Sequence, residues 1–166
     1  MGFLWHEGDA RKKLVNKMGA SKADWICVCD ADEVFSENFF ELKDSIFNNQ
    51  NISWCAFHAY SLWGDFKHYR MDGCWGGSTS SWTIKLFKNV ADSYSFDMGN
   101  WHVRPSPHEV YYLKGERNEQ IKLFNCGLSK PNSWDEKSEA RGESYRQVVD
   151  YNLSAVEVKE IDEIIA

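Results

Sequence analysis

An α/β fold is the class that this sequence predicts, and three observations in the first fifty residues predict it. Residues 9–19 carry apolar side chains at helical spacing, and Trp25-Ile26-Cys27-Val28-Cys29 is a continuous apolar run that stops abruptly at acid. A second helical pattern then runs from Ser36 to Phe47. Helix, strand, acidic turn and helix in that order are the signature of helices packed on a sheet.

Taken in order, the first helix places Ala10, Leu14, Val15 and Met18 on one face with charges between them, and Gly19 is its stop. The run from Trp25 to Cys29 has the composition of a strand covered on both faces, as in parallel sheets, and this reading makes Cys27 and Cys29 buried small hydrophobes. The second helix, with Phe39, Phe40, Leu42, Ile46 and Phe47, ends at the Asn-rich turn of residues 48–51. Residues 52–62 and 82–87 are rich in strand formers and are expected to pair or to extend the sheet. Shorter strands are expected around 94–96, at 108–113 and at 121–125. Helices are expected at 138–151 and 154–165. There is no internal repeat or linker that marks a boundary, so residues 1–166 are expected to form one domain.

Composition removes several function classes. Nineteen basic against 25 acidic residues leave a net charge of −6, and the Lys and Arg residues are scattered, so nucleic acid is not an expected partner. No apolar run approaches the ~18 residues that span a bilayer, so no transmembrane segment is expected. Met1 to Met18 mixes Asp9, Arg11, Lys12 and Lys13 among its apolar residues, unlike a secretory signal. Five cysteines without a C-x-x-C pair argue against a disulfide framework and against a zinc knuckle, and point to reduced thiols in the cytoplasm.

The chemistry centres on Asp30-Ala31-Asp32 at the carboxyl end of the apolar strand. In open α/β sheets the ligand crevice lies outside such strand ends, and two carboxylates one residue apart can present oxygens to a hard divalent cation. The same residues also suit a plainer role. Asp32, Glu33 and Ser36 are good helix-start residues, so the acids also read as a cap for the helix that follows. A helix-loop-helix calcium site is not supported, because the repeating acids and central Gly of such a loop are missing.

Residues 25–35 also resemble a known segment. Trp25-Ile26-Cys27-Val28-Cys29-Asp30-Ala31-Asp32-Glu33 is similar to the Asp-Trp, apolar run, Asp-Ala-Asp-Glu segment of GT-A glycosyltransferases, family two in particular. Lys85-Leu86-Phe87-Lys88-Asn89 resembles the basic strand that follows in that family, and Pro107-His108-Glu109 resembles its His-Glu element. The stretch from Ser133 to Tyr145, with Lys137, resembles its basic and tyrosine-bearing tail. The matching segments occur in the family's order over most of the chain.

The resemblance implies a Rossmann-like mixed sheet flanked by helices, here lacking the first two strand-helix units that hold the nucleotide base. It implies transfer of a sugar from a nucleoside-diphosphate sugar to a glycan or other hydroxyl acceptor, with inversion. Asp32 would ligate Mn²⁺ or Mg²⁺ on the diphosphate, Asp30 would face the ribose or assist the metal, and His108 would bind metal or phosphate. Glu109 would be the base that takes the acceptor proton, with Asp97 and Asp72 as substitutes. Trp75, Lys85 and Arg104 would contact acceptor or phosphate. Two departures stand out: Lys85 occupies a position where Arg is usual, and Phe124-Asn125-Cys126-Gly127 lacks a late-strand His. A chain without the first two units would leave the Trp25–Cys29 strand as a sheet edge prone to self-association. The alternatives are a non-catalytic or acceptor-binding α/β module that cannot hold nucleotide, and a structural domain whose acids cap a helix and whose His-Glu pair orders a loop.

Overall fold

The structure, a computed structural model, describes residues 7–70, 82–90, 94–95, 107–126 and 158–160. The elements in chain order are α1 (Glu7–Gly19), β1 (Trp25–Cys27), β2 (Glu33–Phe35), α2 (Phe39–Phe47), β3 (Trp54–Ser61), β4 (His68–Arg70), β5 (Trp82–Lys88), α3 (His108–Tyr111), β6 (Gly115–Asn125) and β7 (Val158–Glu160). Five strands form one sheet in the order β1-β5-β3-β6-β2, and β4 with β7 form a second. The five-stranded sheet is mixed. β1 is antiparallel to β5 and β2 antiparallel to β6. Strands β3 and β6 run the same way, since Ser53 N–H donates to Lys114 O before both begin and Leu62 N–H donates to Asn125 O where both end. The architecture is therefore α/β. No described helix is long and apolar enough to cross a membrane.

The chain divides into two compact units. The first comprises residues 1–29, 40–57 and 83–118. Its interior is built on Phe57, Leu86, Phe87, Ile26 and Tyr94, each at most 1% exposed. β5 is buried continuously from Ile84 to Phe87, the pattern of a strand with neighbours on both sides and cover on both faces. Trp25 secures the end strand β1. Its indole N–H donates to Phe47 O at 3.2 Å, its ring lies 5.9 Å from that of Phe47, and Lys88 Nζ stands 5.4 Å over it. A polar knot ties α1 to the segment after β5. Asn89 Nδ2 donates to Gly19 O, satisfying a carbonyl of the last helical turn, while Tyr94 N–H donates to Asn16 Oδ1 and Tyr94 O–H to Asn89 Oδ1.

The second unit comprises residues 30–39, 58–82 and 119–166. Leu62, Tyr69 and Phe124 form its described apolar cluster, with Tyr60 and Cys126 packed against it. Tyr60 meets Tyr69 edge-on at 5.2 Å and His58 edge-on at 4.4 Å, and His58 also lies 5.5 Å from Trp82. β4 pairs antiparallel with β7, His68 opposite Glu160 and Arg70 opposite Val158.

Several expectations are corrected. The strand at 25–29 is shorter, antiparallel to its neighbour and, with a paired strand on one edge only among the described residues, stands at one end of the sheet order; Cys27 and Cys29 are exposed rather than buried. On α1 the inward stripe centres on Val15, 3% exposed, and the polar Asn16, which turns Leu14 (64%) and Met18 (41%) outward. Residues 108–111 form a helical turn, not a strand; Pro107 lies immediately before it, extended and pre-set in φ for a helix start. Val158–Glu160 is a strand rather than part of a helix, because β4 offers it a pairing edge. The expected helix at 138–151 lies outside the described residues.

One close approach in the first unit is open to test. Trp54 donates its indole N–H to Leu113 O at 2.8 Å, which lays its ring directly over Gly115, where a β-carbon would collide with it. Gly115→Ala is expected to lower unfolding free energy by about 1–3 kcal/mol, the usual cost of an added methyl in a filled site. Chemical denaturation checks the loss, and adding Trp54→Leu to the same chain should recover part of it.

Candidate functional site

The acidic turn after β1 is held by its own backbone and by β6. Val28 N–H donates to Lys85 O at 2.8 Å, extending the β1 ladder by one residue. The chain then reverses: Glu33 N–H donates to Asp30 O at 3.0 Å, and the Glu33 carboxylate accepts the Asp30 N–H at 2.9 Å. Cys126 N–H donates to Asp32 O at 2.6 Å, and from there β2 pairs with β6, Glu33 opposite Asn125 and Phe35 opposite Leu123. Asp30, Asp32 and Glu33 are all half-buried. The turn thus joins two strands, and the expectation that Asp32 and Glu33 sit in a helix start is corrected. Helix α2 begins only at Phe39, whose N–H donates to Ser36 O. The Glu33 carboxylate holds backbone, and Asp30 and Asp32 are the two acids that the sequence expectation assigned to a cation.

Cys126 is a neighbour of this turn that the sequence reading treated merely as the place of a missing His. Burial first, and then the negative charge of Asp32, push its thiol above the ordinary cysteine range. Among the described residues no three His, Cys, Asp or Glu side chains gather as a metal-holding group.

Glu109 and His108 belong to the first unit, at α3. The Glu109 carboxylate accepts the Ser95 hydroxyl at 2.6 Å and the Ser95 N–H at 3.1 Å to each oxygen, and His108 N–H donates back to Ser95 O at 3.0 Å. Partial burial pushes the Glu109 carboxyl upward, but the bonds from Ser95 and the charge of His108 outweigh it, and the net shift is downward. His108 itself is exposed. Lys85 is 1% exposed within β5, so its ammonium lies inside the unit rather than on its surface. Trp75, Arg104, Asp72 and Asp97 lie outside the described residues.

A second carboxylate-imidazole pair escaped the sequence reading. Asp65 accepts the N–H groups of Lys67 and His68 at 2.8 and 2.9 Å, and its Oδ2 lies 2.8 Å from His68 Nδ1. The Lys67 amide foremost, then the His68 ring, hold the Asp65 carboxyl below its ordinary range. An ionised carboxylate only accepts, so Nδ1 carries the proton and Nε2 is the ring's other face. The Gly64-Asp65-x-x-His68 spacing was its sequence signal, an Asx-type turn after a glycine with φ of 74°.

Comparison with family models, with curated proteins and with solved structures finds no match to this chain.

The Ser95 contact gives Glu109 a defined pH behaviour. Because its folded pKa is depressed, the contact's contribution is present above the unfolded carboxyl range and is lost as pH falls through the lower, folded value. Ser95→Ala is expected to raise the Glu109 pKa toward the ordinary 4.5. A carboxyl-carbon NMR titration of both proteins reads the shift directly, and identical midpoints would show that Ser95 does not set it.

Proposed function

We propose that this chain is a metal-dependent glycosyltransferase domain of GT-A type, which moves a sugar from a nucleoside-diphosphate donor to a hydroxyl acceptor with inversion. The observation that supports it most is the Asp30-Ala31-Asp32-Glu33 turn. Glu33 and Cys126 hold its backbone, and Asp30 and Asp32 stand half-buried after a strand. The resemblance of residues 25–35, 85–89 and 107–109 to that family adds order and spacing to the same reading.

Mn²⁺ or Mg²⁺, when bound, supplies charge stabilisation for the leaving diphosphate. Asp32 would be the principal residue to hold it, with Asp30 assisting or facing the ribose. Glu33 holds the Asp30 amide and so helps to fix the backbone of the turn that carries both acids. Glu109, kept ionised by Ser95, is the base for the acceptor proton, and exposed His108 beside it offers a contact for phosphate or metal. A depressed pKa makes Glu109 a weaker base but guarantees the form that can accept a proton. The Ser95 bonds also favour a second role for Glu109, that of a carboxylate which orders the segment around residue 95. In this reading the protein acts in the cytoplasm and associates with its own copies through the β1 edge.

Mn²⁺ is expected to bind weakly to the chain, and Asp32→Asn to remove most of the heat in a calorimetric titration. Equal heats from the two proteins would assign the acids to the turn alone. With a panel of nucleoside-diphosphate sugars, Glu109→Gln is expected to cut turnover by ~10² while sparing donor affinity, since removing a base raises the barrier without touching the diphosphate contacts. Parallel loss of donor affinity and turnover would make Glu109 a binding or loop-holding residue.

A further inference from the structure

Cys27 and Cys29 are both exposed, and they flank Val28 at the free-running end of β1. Exposure alternates along this stretch: Ile26 is fully buried, Cys27 exposed, Val28 half-buried and Cys29 exposed. The ladder to β5 continues past the strand's formal end, with Cys27 opposite Leu86 and the Val28 N–H on Lys85 O. The backbone is therefore extended here, and residues 27 and 29 share one face of an end strand.

That geometry selects a chemistry. Residues two apart on a strand have Cα atoms about 6.7 Å apart, close to the outer limit of about 6.8 Å for a disulfide. A single ion joined to both sulfurs is easier: with metal–thiolate bonds of about 2.3 Å, the sulfurs need approach only to about 4.6 Å. We propose that Cys27 and Cys29 form a two-thiolate site for a soft monovalent cation of the copper(I) or silver(I) class. On binding, each thiol gives its proton to solvent and two sulfur–metal bonds take the place of two S–H bonds. Soft ions of this class prefer sulfur to oxygen, so carboxylates do not compete with the two thiolates for it.

The other described thiols compete poorly. Cys55 is buried, and burial together with the charge of Glu116 pushes its thiol up to about 12. Cys126 is half-buried beside Asp32.

Silver(I), free of copper's redox chemistry, is the probe. Native mass spectrometry of the whole chain with silver nitrate in chloride-free buffer is expected to show one ion at low excess. Cys27→Ser and Cys29→Ser should each weaken binding about tenfold or more, and the double variant should abolish it, whereas Cys126→Ser and Cys74→Ser should leave it intact. X-ray absorption of the loaded chain should count two sulfur neighbours. Undiminished binding in either single variant, or loss in Cys74→Ser, would overturn the proposal. Each single variant changes one exposed atom, so the singles decide the question if the double variant does not fold.

Discussion

The pairing of β2 with β6 is the constraint on which the acidic turn depends. Two carboxylates one residue apart repel, and a turn that carries them is stable only if its backbone groups are satisfied elsewhere. Here the Asp32 carbonyl accepts the Cys126 N–H, and the Asp30 N–H donates to the Glu33 carboxylate. Ser36 finishes the arrangement, receiving the Lys122 N–H on its hydroxyl and donating its own N–H to Lys122 O. Remove the β6 edge and the turn loses the backbone partners that set its shape, whatever its sequence.

Glu109 shows how local hydrogen bonding sets a functional group against burial. Desolvation disfavours a carboxylate, yet three hydrogen bonds from a single serine and a neighbouring imidazole reverse the sign. Asp65 reaches the same outcome at an exposed turn by capping two amides and a histidine ring. Both acids are therefore ionised acceptors, one tied to a loop and the other to His68. That common electrostatic state is compatible with base chemistry and with simple loop ordering, which is why turnover and donor affinity must be read separately.

The end strand β1 illustrates how position in a sheet changes what the same residues mean. In a central strand, Ile26, Cys27, Val28 and Cys29 would all be covered, and the thiols would be small packing groups. At an end position only one edge is paired, and side chains can stay open to solvent. The apolar Ile26 still points inward, and the two thiols become accessible ligands next to hard carboxylates. Residues Ile84 to Phe87 of β5 carry the continuous burial that composition assigned to the neighbouring strand.

Periodicity along the sequence by itself determined α1, α2, β3 and β5, because each is long enough for its apolar spacing to outweigh local ambiguity. The acidic turn, too, was legible as a place, from apolar run to Asp30. What only the tertiary structure decided was pairing and cover. The strands β2, β4 and β7 are three residues each and exist because a partner edge lies beside them, in both pairings one from about 88 to 92 residues away along the chain. The helical turn at 108–111, the exposure of Cys27 and Cys29 and the burial of Lys85 follow in the same way from neighbours supplied by distant segments. A short stretch carries too little periodic signal to reveal its own environment, so those features are set by long-range contacts rather than by the residues that display them.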